Sequence, residues 1–169
     1  CEDECDLEVD GYAIPPLKQV ILFHKPAGML SAMNDQWGRI CVGDIIPPRY
    51  HMVGRLDLET RGLLLFSLDG QITQRLLHPK RKIEREYIAV VENHPTEELI
   101  SIVADGVQTS VGLAQGEIVS IQEQQIKLIM REGRNRIVRR MLHNAGFSVL
   151  DLFRVRFGPF SVNGIEEGE

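Results

Sequence analysis

The chain has 169 residues, 43% of them hydrophobic and 25% charged, the balance of a globular protein with a sizeable single core. No apolar run approaches the length needed to cross a membrane, and the opening CEDECDLEVD is acidic where a secretory signal would be basic. The net charge of −5 does not exclude nucleic acid, because six acids lie between Glu2 and Asp10 and three more are Glu166, Glu167 and Glu169, leaving fifteen acids against nineteen bases in the body.

Along the chain, Cys1, Cys5 and Cys41 form no disulfide framework, and no second Cys/His pair completes a metal site with Cys1 and Cys5. Reduced thiols in a cytoplasmic protein are expected, with no metal. Val20 to Phe23 reads as a strand, ended by Lys25-Pro26-Ala27-Gly28. A loop-rich stretch follows through Pro47-Pro48. Gly62 opens the strand Leu63 to Ser67, and Asp69-Gly70 reads as a turn or cap before a helix over 71–77, stopped by Pro79. Glu86 to Val91 reads as a strand, and Pro95 to Glu98 starts a helix running to about Ala104. Two paired strands are predicted over 117–121 and 125–131. Asn135 to Ala145 reads as a helix with Gly146 just past its end, and strands over 149–157 close the fold. Strands outnumber helices and few crossover helices join them. The predicted class is α+β, a mainly antiparallel mixed sheet with flanking helices.

Three stretches carry chemistry. In Gly54 to Leu65, Asp57 stands between Arg55 and Arg61 just before a buried strand. Arginine neighbours keep a carboxylate ionised, and such a group can serve as nucleophile or general base. Equally, Asp57 could make an Asx turn with Thr60 and merely hold a loop. In Arg131 to Leu142, Ile137, Val138, Met141 and Leu142 take the spacing of a buried helix face. The arginines 131, 134, 136, 139 and 140 crowd around them and require anions: RNA phosphates, a buried carboxylate, or both. In Arg85 to Val91, alternation puts Tyr87, Ala89 and Val91 on one face, as core or as a stacking platform for a base. Lys80, Arg81, Lys82 and Arg85 form a second basic group.

The ordered set HKPAGMLS, GRLDLETRGLLLF, REY, EGRNRIVRRM and LFRVRFGPF resembles the bacterial ribosomal-RNA pseudouridine synthases that act on single sites. The resemblance covers roughly Val20 to Phe160. It implies an enzyme that isomerises one uridine of ribosomal RNA, leaning to the large subunit, without a cofactor. It places the catalytic aspartate on Asp57, the active-site tyrosine on Tyr87 and the arginine that pairs with the aspartate on Arg139. Arg55 falls on the arginine that helps extrude the base, and Val138 on a small apolar wall position. Lys25 and Pro26 fall on a structural first motif. Ile137 departs from relatives that often carry Gln or Glu there. RNA contacts are expected from Arg134, Arg136, Arg140, Lys80, Arg81 and Lys82, and the protein is expected to be a monomer. Residues 1–12, through LEVDGY, resemble the tail of a small RNA-binding domain or form an acidic disordered end, and 13–169 would be the catalytic domain. A non-catalytic RNA-binding module on the same fold is the alternative. A retaining glycosidase using Asp57 and Glu59 would leave both basic groups unexplained.

Overall fold

The computed structural model describes the backbone of residues 7–9 and 12–14 and all of 19–169. Cys1 and Cys5 lie outside the described residues. Strands β1 (Leu7–Val9) and β2 (Tyr12–Ile14) pair with each other as an antiparallel hairpin, Leu7 opposite Ile14. Residues 12 and 13 both lie in β2.

The body is one mixed sheet. Its main path runs β3 (Val20–Lys25), β5 (Thr60–Ser67), β11 (Val149–Phe157), β6 (Arg85–Val91), β10 (Gln125–Met130) and β9 (Glu117–Gln122). The short β4 (His51–Val53) pairs with the end of β5, and β12 (Phe160–Ser161) folds back on β11. Among the described pairings of this sheet, only β11 with β5 is parallel, Arg154 standing opposite Gly62. The α+β expectation of a mainly antiparallel sheet holds. A second small hairpin, β7 (Val107–Thr109) with β8 (Gly112–Ala114), lies off the sheet.

Strand β5 explains its own composition. Leu63 and Leu65 enter one core with Val53, Ile72, Leu76 and Phe157. Leu64 and Phe66 enter another with Phe23, Val42 and Leu56. A strand buried on both faces reads as a continuous apolar run rather than an alternation. Strand β6 alternates instead: Arg85, Tyr87, Ala89 and Val91 are buried on one face. That face meets helices α2 (Glu98–Asp105) and α3 (Ile137–Asn144) through Leu99, Val103, Val138, Met141 and Leu142.

The helix α1 (Gly70–Leu77) begins as expected, with the Asp69 carboxylate accepting from the Gln71 amide at 2.7 Å. Helix α3 begins two residues later than the sequence suggested. Arg136 precedes it in the left-handed conformation, φ 53°, so Asn135 is part of the preceding turn. No helix among the described residues is long and apolar enough to cross a membrane.

Candidate active site

The loop from Gly54 to Glu59 links β4 to β5 and carries Asp57. Its shape is set from three sides. Gly54 takes a positive φ of 75°, which lets the chain leave β4. The Ser31 hydroxyl accepts from the Leu56 amide at 3.1 Å and donates to the Leu56 carbonyl at 2.8 Å. The Leu58 carbonyl accepts from the Gly28 amide at 2.7 Å and from the Lys25 ammonium at 3.4 Å. Leu56 is buried, so the chain is pinned immediately before Asp57 and immediately after it.

Asp57 itself is half-buried. Its backbone carbonyl accepts from the Thr60 amide at 3.0 Å, closing the turn. Among the described residues its carboxylate has no hydrogen bond and no ion pair. The side-chain Asx turn that would have made Asp57 a mere loop residue is absent. Arg61, the flanking arginine, instead pairs with Asp151 at 2.9 Å and lies over the Phe153 ring.

Asp57 opens onto a cleft of about 860 Å³. Tyr87, Val138, Arg55, Arg134, Arg136 and Lys82 line it as well. Tyr87 and Val138 are buried wall residues, and Arg55 and Lys82 are exposed at the surface. Lys80 and Arg81 lie in the short 3-10 turn Pro79–Arg81 beside it, outside its lining.

Arg139 and Arg140 also lie outside the lining, and their contacts change the expected picture. Arg139 donates to the Val149 carbonyl at 3.1 Å, the Glu59 carbonyl at 3.4 Å and the Thr60 hydroxyl at 3.5 Å. No hydrogen bond or ion pair joins it to Asp57 among the described residues. Burial holds its guanidinium below the ordinary range, and the charges of Glu59 and Asp57 oppose that from a distance. The expected direct pair is thus a through-space one, because peptide carbonyls at the starts of β5 and β11 stand nearer.

Arg134 and Arg140 are likewise engaged. Arg134 grips Glu132 with two nitrogens and donates to the carbonyls of Val111 and Leu113. Arg140 bonds Ser110 and the Asn135 carbonyl. Both tie the β7–β8 hairpin to the rim, which amends the expectation that they face phosphates. Arg136, in the lining, pairs with Glu59, outside it, using one nitrogen. Glu59 is therefore not a free second carboxylate beside Asp57. No group of three or more His, Cys, Asp or Glu among the described residues could hold a metal.

The profile of the RNA pseudouridylate synthase family matches residues 19–144. The chain belongs to this family. It is 35% identical to ribosomal large subunit pseudouridine synthase B of Bacillus subtilis over 96% of the chain and 71% of that protein. It is 37% identical to the synonymous Vibrio cholerae protein over 93% of the chain and 54% of that protein. With the Yersinia pestis protein, at 39% identity, the shares are 89% and 50%. The chain thus spans about half the length of several curated relatives it matches. A crystal structure of a pseudouridylate synthase superposes with a TM-score of 0.82 at 26% identity, over 89% of the chain and 68% of that structure.

Within this synthase fold, three buried basic residues escaped the sequence reading of function, two of them in the cleft lining and one behind the Asp57 loop. Lys25, assigned a structural part, is fully buried with its ammonium on the carbonyls of Pro26 and Met29, both at 2.8 Å. Arg85, grouped with the surface bases, is buried on the Tyr87 face. The alternation of β6 already predicted that, had it been extended two residues back. Arg154, on β11 opposite Tyr87, is 3% exposed and lines the cleft.

Proposed function

We propose that this chain converts one uridine of large-subunit ribosomal RNA to pseudouridine, with Asp57 as the nucleophile. The observation that supports this most is the Asp57 carboxylate, without a hydrogen bond or ion pair among the described residues, at a cleft that also holds Tyr87. A carboxylate fixed by its backbone but unpaired at its oxygens is positioned to react. The uridine is flipped out of its stack into the cleft, at a cost of a few kcal/mol. Arg55, exposed at the entrance, helps to extrude it. Tyr87 stacks on the ring, and Val138 closes the wall. The bond from N1 to the ribose breaks, the ring turns, and C5 joins the ribose. Arg139 acts as a positioning residue, holding the start of β5 and hence the loop that presents Asp57.

Phosphate contacts fall to Arg136, Arg55, Lys80 and Lys82, which are at least partly exposed. Such contacts dominate affinity and make it depend on salt. The reading needs no cofactor and a single copy of the chain, working in the cytoplasm on ribosomal RNA.

The test is pseudouridine formation in large-subunit ribosomal RNA under single-turnover conditions. Asp57→Asn should abolish it while keeping the fold and most RNA affinity. Turnover like wild type in that variant would sink the assignment.

A further inference from the structure

Arg85 and Arg154 form a doubly charged floor beneath the cleft. Their guanidinium carbons lie 4.7 and 5.2 Å from the centre of the same Phe157 ring. Arg154 uses its Nε on the Leu63 carbonyl at 2.8 Å, and Arg85 uses Nη1 on the Ile83 carbonyl at 3.0 Å. Arg154 Nη2 is buried and has no partner among the described residues. Neither arginine forms an ion pair there. Glu132, a carboxylate whose charge acts on Arg85, is gripped by Arg134.

Local sequence makes the arrangement possible. Gly133 lets the Arg85 guanidinium lie against the backbone, since a Cβ there would meet it at 3.3 Å. Leu152 and Arg154 alternate onto the same buried side of β11, so the guanidinium sits below an apolar wall. Two like charges packed on one ring, each taken out of water, cost free energy unless something negative joins them. Burial and the neighbouring Arg154 both weaken the hold of Arg85 on its proton. A fold that keeps such a pair at its reaction cleft, one donor still vacant, is built for an anion.

We infer that Arg85 and Arg154 are catalytic residues that hold the uracil ring while it is an anion, detached from its sugar. The inference rests on the reading of the chain as a pseudouridine synthase. When the C1′–N1 bond breaks, its electron pair stays on the ring. The ring then carries one negative charge, shared between N1 and the two carbonyl oxygens. This is so whether Asp57 bonds C1′ or takes the C2′ proton. The charge returns to Asp57 when C5 closes on C1′, and the C5 proton is then replaced by one on N1. The vacant donor and the two guanidiniums therefore meet a charge that exists only between bond breaking and bond making.

A phosphate is the weaker candidate for this floor. A compact, strongly hydrated tetrahedral anion would have to enter among Tyr87, Leu152 and Phe157. A flat, delocalised ring anion matches those walls and the planar guanidiniums better.

The experiment compares binding of two free rings at neutral pH. Uracil is neutral there, whereas 5-nitrouracil is ionised and reports its ionisation in its absorption spectrum. Wild type should bind 5-nitrouracil about tenfold or more tightly than uracil, the worth of a charge-assisted contact. Its bound spectrum should be that of the ionised ring. Arg154→Met and Arg85→Met, checked for folding by thermal melts, should each lose most of that preference. Inorganic phosphate should compete weakly.

Equal binding of the two rings by wild type would overturn the inference, and so would retention of neither. This holds even if the variants fail to fold. Preference unchanged in folded variants, or strong competition by phosphate, would overturn it too. Wild-type turnover of RNA reports the synthase reading separately, so the two can fail independently.

Discussion

The Lys25 ammonium donates to the carbonyl of Leu58, the residue after Asp57, and so fastens the first motif to the Asp57 loop. It is a fully buried cation whose other acceptors are the carbonyls of Pro26 and Met29. Burial pushes it down to about 8, and the charges of Asp57, Glu59 and Glu167 oppose the fall from its ordinary 10.5. The folded state thus binds this proton less tightly than the unfolded chain. Between those two values the unfolded chain keeps the proton and the native protein releases it. Stability against unfolding should therefore rise with pH across that window, by about 1.4 kcal/mol per unit. Urea melts of wild type and Lys25→Met from pH 7 to 10 test this. Wild type should gain on the variant above about pH 8. A constant difference would show that the ammonium stays charged throughout.

Glu59 pairs with Arg136, which lines the cleft. A hydrogen bond from its own backbone amide, and then the Arg136 guanidinium, hold the Glu59 carboxyl below its usual range. Under the proposed function, entering phosphates would compete with Glu59 for the same guanidinium. Glu59→Gln should therefore tighten RNA binding and steepen its salt dependence by about one in log–log slope. Arg136→Ala should shift the slope by about the same amount the other way. Binding measured from low to moderate salt decides it. Slopes that do not move in either variant would mean that Arg136 meets no phosphate.

Arg139 reaches acceptors on two strands with one guanidinium. It joins α3 to the starts of β11 and β5. Arg139→Ala leaves those carbonyls short of donors and should cost about 1–3 kcal/mol of stability. Because Asp57 lies just ahead of β5, turnover should fall as well. Arg139→Lys should restore little, since an ammonium cannot span the same three acceptors. Melts and single-turnover rates on both variants check the pair of effects. An Arg139→Ala protein as stable as wild type would show that these contacts carry no energy.

What the sequence disclosed depended on whether a signal was local. Leu63 to Phe66 was legible as a buried strand because both of its faces enter cores. The helix face of Ile137, Val138, Met141 and Leu142 was legible from its spacing. The start of α3 was not, because Arg136 adopts a left-handed conformation that no local pattern demands. Three-residue strands such as β4, β7 and β8 carry too little periodicity to be read. The arginines were the hardest. Arg134 and Arg140 resembled phosphate ligands, yet the carbonyls of Val111 and Leu113 and the hydroxyl of Ser110 come from a hairpin more than twenty residues away. Arg154 resembled an ordinary strand base until Leu63 and Phe157 enclosed it.

Gly62 has no room for a side chain. It lies in β5 with φ 115°, opposite Arg154 in the parallel pairing. A Cβ there would stand 2.3 Å from the Arg154 carbonyl oxygen and 2.7 Å from its amide nitrogen. These are backbone atoms, so no side-chain rotation can make room. Gly62→Ala must either strain β5 or push β11 away from it. The backbone strain should cost about 1–3 kcal/mol and the overpacking about as much again. A typical domain is stable by only about 5–15 kcal/mol, so the variant should be marginal. Gly146→Ala separates the two effects. Gly146 also has positive φ, 95°, but a Cβ there would meet nothing within 4 Å. It should show the conformational strain alone. Urea midpoints for the two variants should therefore differ, with Gly62→Ala the lower. The damage should also reach the cleft, because β5 follows the Asp57 loop and β11 carries Leu152 and Arg154. In whatever fraction remains folded, binding of the ionised ring should fall together with turnover. Equal midpoints for the two alanine variants would mean that β11 yields without cost, and that its close approach to β5 does not hold the cleft floor in place.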